Sequence, residues 1–256
     1  MAEPVEGLAD DASAGAGDGG RDAARASGAP YAGGGGPRWP RPRWVLAWGA
    51  LWLGTFGVWQ LLLVPAGFGH YGRSWGGGLF FGLATLLGLL LHRQELPSAL
   101  RWPGRGPPLA VAAAAALTWG AARWVAVRWP VTPEALAPYR ALRVGLVLLD
   151  GRYFLAKLPE LCFQQALIYV LVRRLAGHGF RGLRLVGAFA LVFGGVHLPI
   201  LWNKGWAGAP FLGAALGASL VFPPLIARFR GGVAYSFCVH LLAYVLAGTL
   251  LRVRGL

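Results

Sequence analysis

The sequence has little charge for its length, and most of that charge is positive. Of its 256 residues, 13% are charged and 56% are hydrophobic, with a formal net charge of +14. A soluble domain normally carries about 25% charged residues, so this chain has more apolar surface than a water-soluble fold can bury. The arginines form short clusters between long uncharged runs, which is typical of membrane-flanking loops rather than of a nucleic-acid-binding face. The sequence therefore predicts a lipid bilayer environment and no nucleic-acid partner.

Cysteine and lysine are also scarce. The two cysteines, Cys162 and Cys238, lie in apolar segments, so a disulfide framework and a CxxC metal motif are both excluded. Lysine occurs only as Lys157 and Lys204, whereas arginine, alanine, glycine and leucine abound. Because this composition is typical of a bacterium with GC-rich DNA, we expect an integral protein of the bacterial inner (cytoplasmic) membrane.

Apolar periodicity is absent from the first part of the chain. Residues 1–43 are rich in glycine, alanine, aspartate and proline, and they predict a disordered tail, since nothing there offsets the entropy of ordering. Acidic residues stand where a signal peptide has its basic and apolar regions, so the tail is not predicted to be a cleavable signal. Residues 44–256 are predicted to form a transmembrane domain.

Long uncharged runs after the tail predict an all-α fold, a polytopic bundle of about six to eight transmembrane helices. The runs cover about residues 44–69, 75–91, 108–127, 159–172, 182–202, 210–226 and 232–251. Charges bracket residues 139–157 too closely for a span, so this stretch predicts an interfacial or re-entrant helix. Pro159 is tolerated in the first turn of a helix, which places Glu160 at the N-terminal end of the next span.

Acidic residues are rare beyond the tail, and only Glu160 adjoins a long apolar run. Ionisable groups inside membrane bundles are costly and usually functional. The alternative is that a carboxylate in a first helical turn is stabilised by the helix dipole and has no further role. Both interpretations are open at this point.

Two of the five histidines, His197 and His240, fall inside predicted spans, where an imidazole needs a partner or a hydrated cavity. The depths of the spans predict that both line one cavity with Glu160. The other histidines, His70, His92 and His178, fall in loops or at span ends and need no special explanation.

A carboxylate beside an imidazole can take a proton from water, and a second imidazole can donate to the oxyanion that forms on an attacked carbonyl. These are the groups needed for amide hydrolysis. The alternative is a zinc site with Glu160, His197 and His240 as ligands, to which Cys238 could add sulfur, although no HExxH spacing supports it.

Three short motifs lie on successive predicted spans: ELCFQQ from Glu160, FGGVH from Phe193 to His197, and HLLAY from His240 to Tyr244. They resemble the EExxxR, FxxxH and HxxxN or HxxxD motifs of the CAAX protease and bacteriocin-processing family (CPBP, or Abi). Members of that family are intramembrane glutamate-dependent proteases. The resemblance implies a catalytic core at about residues 155–251.

The resemblance also implies roles for individual residues. Glu160 would activate water, His197 would help to hold that water, and His240 would act on the oxyanion side. Phe193 stands one helical turn before His197, and Tyr244 replaces the asparagine or aspartate of the third motif while keeping a hydrogen-bond donor.

The first motif departs from the family pattern. Leu161 replaces the second glutamate and Gln165 replaces the arginine. In an alternative register Pro159 and Glu160 take the two glutamate positions, and Gln164 takes the arginine position that follows a phenylalanine. Glu160 is the only carboxylate in either register.

We therefore expect an enzyme, an intramembrane endopeptidase that hydrolyses a peptide bond of a membrane protein or peptide substrate without a cofactor. The alternatives are a catalytically inactive member of the family and an unrelated membrane transporter or scaffold protein.

Overall fold

The computed structural model describes residues 37–95, 104–142 and 145–254, and every regular element in these ranges is helical. The α-helices are, in chain order, α1 Pro42–Val58, α2 Ser74–Leu91, α3 Gly106–Arg128, α4 Pro133–Ala141, α5 Gly151–Gly177, α6 Gly182–Gly195, α7 Leu198–Lys204, α8 Ala209–Arg228 and α9 Gly232–Arg254. A π-helical segment, Trp59–Phe68, continues α1, and two short 3-10 turns are Gly145–Val147 and Gly205–Gly208. Residues 1–36 of the predicted tail lie outside the described ranges.

Six helical segments are long and apolar enough to cross a membrane. Their outer surfaces expose large apolar side chains, for example Leu79, Leu83 and Leu90 along α2. Such a surface is stable in hydrocarbon and not in water. The prediction of an all-α polytopic transmembrane bundle is confirmed, and the chain is an integral membrane protein.

Helix α5 is the centre of the bundle. In its apolar stretch 72% of the residues are buried within the protein, against 11% to 33% in the other five spans. It packs against α1, α2, α6, α8 and α9. A polar side chain on α5 is therefore surrounded by protein, which is where a membrane protein can hold ionisable groups.

The start of α5 differs from the prediction. The helix begins at Gly151 and its N-cap is Asp150, whose side chain accepts a hydrogen bond from the backbone N–H of Tyr153 at 2.7 Å. The predicted interfacial helix over residues 139–157 is wrong, because residues 151–157 are the first two turns of α5. Glu160 consequently lies well inside the helix, beyond the first turn where the helix dipole acts. The dipole interpretation of Glu160 is wrong.

Pro159 lies within α5 and does not start it. A proline has no N–H to donate to the carbonyl four residues earlier, here that of Leu155. Helix α2 approaches this carbonyl closely at Gly78, where an added Cβ would lie 2.6 Å from the Leu155 oxygen. The close packing of α2 on α5 thus depends on a glycine at this position.

We expect Gly78→Ala to destabilise the protein by about 1–3 kcal/mol, because an overpacked contact against backbone must be relieved by a shift of a helix. Gly82→Ala, one turn further along α2, is the matched control, since an added Cβ there meets nothing within 4 Å. The control should be neutral or slightly stabilising, because alanine favours helices. Unfolding in detergent measures both variants, and equal stabilities would contradict the proposed packing.

The predicted span over residues 182–202 is also interrupted. Helix α6 ends at Gly195, and α7 begins after a turn that contains His197. Pro199 in the first turn of α7 cannot donate a hydrogen bond to the Gly195 carbonyl, which favours a break between the two helices at this point. His197 therefore lies at a helix break and not inside a regular helix. At membrane depth such breaks are stable only where protein or a hydrated cavity surrounds them.

Candidate functional site

The carboxylate of Glu160 belongs to a row of polar side chains along one face of α5. Lys157 Nζ donates to Glu160 Oε1 at 2.5 Å, and Gln164 Nε2 donates to the same oxygen at 2.9 Å. The spacing explains the contacts, because residues three and four positions apart are neighbours on a helix surface. All three side chains are buried. The lysine ammonium thus compensates the carboxylate charge inside the bundle.

The two oxygens of Glu160 have different surroundings. Both hydrogen bonds go to Oε1, and among the described residues Oε2 accepts none. An ionised carboxylate can accept at several lone-pair positions on each oxygen. Oε2 is therefore the atom that can accept a proton or a hydrogen bond from a bound molecule.

Tyr244 of α9 connects this ion pair to His240. The Lys157 ammonium lies 3.9 Å from the centroid of the Tyr244 ring, a favourable cation–π position. The same tyrosine ring contacts the His240 ring, with 5.2 Å between their centroids. The third motif thus places two of its residues beside α5, as Tyr244 and His240 are one helical turn apart.

His240 is held by Gln165. The Gln165 amide nitrogen lies 3.0 Å from His240 Nδ1 and 3.4 Å from the carbonyl oxygen of Ser236, and Ser236 Oγ donates to the amide oxygen at 3.0 Å. The Ser236 carbonyl oxygen can only accept, so the Gln165 group that faces it must be the donating nitrogen. The same nitrogen faces His240 Nδ1, which must therefore accept. The neutral His240 ring therefore carries its proton on Nε2, where it can donate.

His197 has the opposite tautomer. Its Nδ1 lies 2.7 Å from the carbonyl oxygen of Phe193, which can only accept, so Nδ1 carries the proton and Nε2 has a lone pair. The ring packs against Phe193 and Trp52, with centroid distances of 4.6 and 5.6 Å. The FxxxH spacing thus has a local structural explanation. Phe193 supplies both the carbonyl oxygen that accepts from His197 Nδ1 and an aromatic ring that packs against the imidazole.

The structure brings the predicted residues together in part. Both Lys157 and His197 lie close enough to His240 to act on it electrostatically. Among the described residues, no direct hydrogen bond joins any two of Glu160, His197 and His240. No group of three histidine, cysteine or acidic side chains in the same ranges could hold a metal ion, and the zinc alternative stays a prediction.

No protein-family model, curated protein or solved structure matches the chain. The resemblance to CPBP proteases, and the roles that it implies for Glu160, His197 and His240, therefore rest on the three motifs.

Sequence reasoning missed three residues of this region. Lys157 enters the sequence prediction only as one of the charges that bracket residues 139–157, although its i, i+3 spacing from Glu160 is a signal for an ion pair within one helix. Ser236 lies one turn before His240, and only the tertiary structure brings it to Gln165. His70 lies in a predicted loop, and its sequence position alone indicates no role.

His70 follows the π-helical segment and lies beside α5. Its ring centroid is 5.3 Å from that of Tyr153, and it is close enough to Glu160 and Lys157 to feel both charges. Burial lowers the pKa of His70 to about 4, the effect of Lys157 acts in the same direction, and Glu160 and Asp150 partly oppose it. His70 is therefore neutral at pH 7.

Proposed function

We propose that the protein is an intramembrane endopeptidase of the CPBP type, in which water activated by Glu160 hydrolyses a peptide bond. One observation carries the proposal. His197 presents an accepting Nε2 and His240 presents a donating Nε2–H, each set by its own hydrogen bond, and Glu160 has one oxygen that is not occupied by Lys157 or Gln164. Amide hydrolysis needs these three kinds of group: a base, an acceptor for the attacking water and a donor for the oxyanion.

In the proposed reaction Glu160 takes up one proton from water and later gives it to the leaving group. Oε2 takes a proton from water while His197 Nε2 accepts a hydrogen bond from the remaining O–H. The oxygen of this water forms a bond to the carbonyl carbon, and the carbonyl electrons move to the oxygen, where His240 Nε2–H donates to the oxyanion. When the C–N bond breaks, the proton on Glu160 passes to the leaving nitrogen and the carboxylate is restored.

Lys157 and Gln165 support this chemistry without touching the substrate. Lys157 keeps a charged Glu160 tolerable inside the bundle, because a buried carboxylate without a partner is costly. Gln165 stands where the family has arginine, and its neutral amide orients His240 by hydrogen bonds alone.

A non-catalytic scaffold is the second candidate, and the Lys157–Glu160 ion pair favours it. A carboxylate bound by an ammonium and an amide is satisfied within its own helix, so it can serve folding alone. The two candidates differ in whether any peptide bond is cleaved.

The experiment that tests the proposal compares membrane-derived peptides from cells that express the wild-type chain with those from cells that express Lys157→Met/Glu160→Gln. We expect cleaved membrane protein or peptide substrates to accumulate only with the wild-type chain. This double variant is the matched control, because it removes the base together with the Lys157 ammonium, which would otherwise be left without a partner. Identical peptide sets at equal protein levels would favour the scaffold. Recovery of the chain with the inner membrane of the bacterial host tests its proposed location.

A further inference from the structure

An open pocket of about 380 Å³ lies beside the π-helical segment Trp59–Phe68 and the loop that leads from it to α2. Trp59, His70, Tyr71 and Arg140 are among the residues that line it. The volume is large compared with the roughly 30 Å³ that one water occupies in the liquid. His70 lies outside the membrane-spanning segments, which end at Phe68 and resume at Ser74, so this pocket adjoins the aqueous side of the bundle.

Two buried polar atoms in this region have no hydrogen-bond partner among the described residues: Nδ1 of His70, which lines the pocket, and Oη of Tyr153 on α5. Their rings are in contact. Leaving a buried donor or acceptor unpaired is costly, and buried polar groups in native proteins are generally hydrogen-bonded to protein or to water. Two such atoms on touching rings, one of which lines an open pocket, therefore point to a small hydrogen-bonding ligand.

The polar row on α5 continues from this point to the carboxylate. Tyr153 and Lys157 are four residues apart, and Lys157 and Glu160 are three apart, so the three side chains follow one another along one helix face. The charges of Lys157 and Glu160 also act on His70. On the rest of α5 large apolar residues such as Leu167 are fully buried among other apolar side chains.

We propose that this pocket is the aqueous entrance to Glu160, and that His70 and Tyr153 hydrogen-bond the water that passes from it to the Lys157–Glu160 pair. The water is a reactant only if the proposed function holds, whereas its access to Glu160 does not depend on hydrolysis. His70 is then a positioning residue that acts on water, and it is the third histidine of the site.

The test measures access directly, by the labelling rate of a cysteine placed beside Glu160. In a chain with Cys162→Ser and Cys238→Ser, Gln164→Cys is treated in membranes with the hydrophilic reagent sulfonatoethyl methanethiosulfonate. Leu167→Cys, about one turn further along α5, is the control for a buried apolar position. We expect Gln164→Cys to react at least about tenfold faster, because thiol reactivity follows access to solvent and thiolate character.

A second substitution identifies the side from which the reagent arrives. His70→Phe retains a ring of similar size and removes both nitrogens, so it should slow labelling of Gln164→Cys by about tenfold, as access controls the reaction. His178→Phe, which changes a distant loop histidine, should leave the rate unchanged. Thermal unfolding should show that His70→Phe is at least as stable as the parent, since a phenyl ring has no buried nitrogen to satisfy.

The outcomes separate the two proposals. Equal labelling of Gln164→Cys and Leu167→Cys, or a Gln164→Cys rate that His70→Phe does not change, overturns the entrance. Tyr153→Cys provides a second labelling site nearer the pocket if Gln164→Cys does not fold. If labelling of Gln164→Cys is fast and depends on His70 but the wild-type chain cleaves no peptide, the aqueous entrance is supported. That result counts against the proposed function alone.

Discussion

Glu160→Gln is expected to lower kcat by about 10²- to 10⁴-fold, the range that a positioned general base supplies. The amide keeps the size of the side chain and its hydrogen bond from Gln164, but it cannot take a proton from water. The substrate is one identified by comparison of membrane peptides, and the measurement is its steady-state cleavage by purified protein in bilayers. KM should change less than kcat, because the lost interaction forms in the transition state.

The single substitution has a second effect, since it leaves the Lys157 ammonium buried without a counter-charge. Lys157→Met/Glu160→Gln removes both charges and should be equally inactive while folding normally. Cys162→Ser and Cys238→Ser, which lie on α5 and α9 but have no assigned role, should retain nearly full turnover. Retention of wild-type kcat by Glu160→Gln would end the protease proposal.

The second large effect concerns stability. Lys157→Met and Glu160→Gln are each expected to lower the free energy of unfolding by about 3–5 kcal/mol, because each leaves one buried charge unpaired. The double variant should lie close to the wild type or above it, since a buried ion pair replaced by uncharged groups of similar volume is often neutral or stabilising. Reversible unfolding of the four proteins in one detergent gives the coupling between the two residues.

A half-exposed ion pair in the same chain provides the control. Arg174 Nη1 lies 3.4 Å from Glu95 Oε1, and its side chain is 41% exposed. Glu95→Gln should cost only about 0–1 kcal/mol, as is usual for pairs in contact with solvent. If Lys157→Met cost no more than Glu95→Gln, or if the two substitutions at 157 and 160 were simply additive, the buried pair would not have the importance that its geometry suggests.

The ion pair changes how the candidate site is understood. From the sequence, Glu160 was an isolated carboxylate whose neutral partners would be histidines. In the structure the carboxylate is paired with a lysine on the same helix, and the Tyr244 ring contacts both this lysine and His240. Any catalytic role of Glu160 must therefore operate with Oε1 already occupied, through Oε2.

Hydrophobic runs were sufficient to predict the architecture. A transmembrane helix needs about 20 apolar residues to satisfy its backbone within hydrocarbon, so its position can be read locally. Helices α2, α3, α8 and α9 accordingly begin and end within a few residues of the predicted runs. The all-α class followed from the same physical rule.

The prediction of where α5 starts was wrong because a rule that holds for an isolated residue was overridden by a contact with another side chain or helix. Lys157 argued against a span because a lone cation is costly in a bilayer, but its pairing with Glu160 removes that cost and lets α5 begin at Gly151. Pro159 suggested a helix start, yet α5 passes through it where Gly78 allows α2 to approach.

The sequence by itself determined the membrane class, the all-α fold and the residue types able to do chemistry, because each depends on composition and on spacing along one helix. Only the tertiary structure decided the rest. The tautomer of His240 and the proximity of His70 to α5 both arise from groups that are brought together by helix packing. Hydrogen bonds between residues more than 70 positions apart, as between Gln165 and His240, have no local pattern in the chain. They exist because buried polar groups must find partners once the helices have packed.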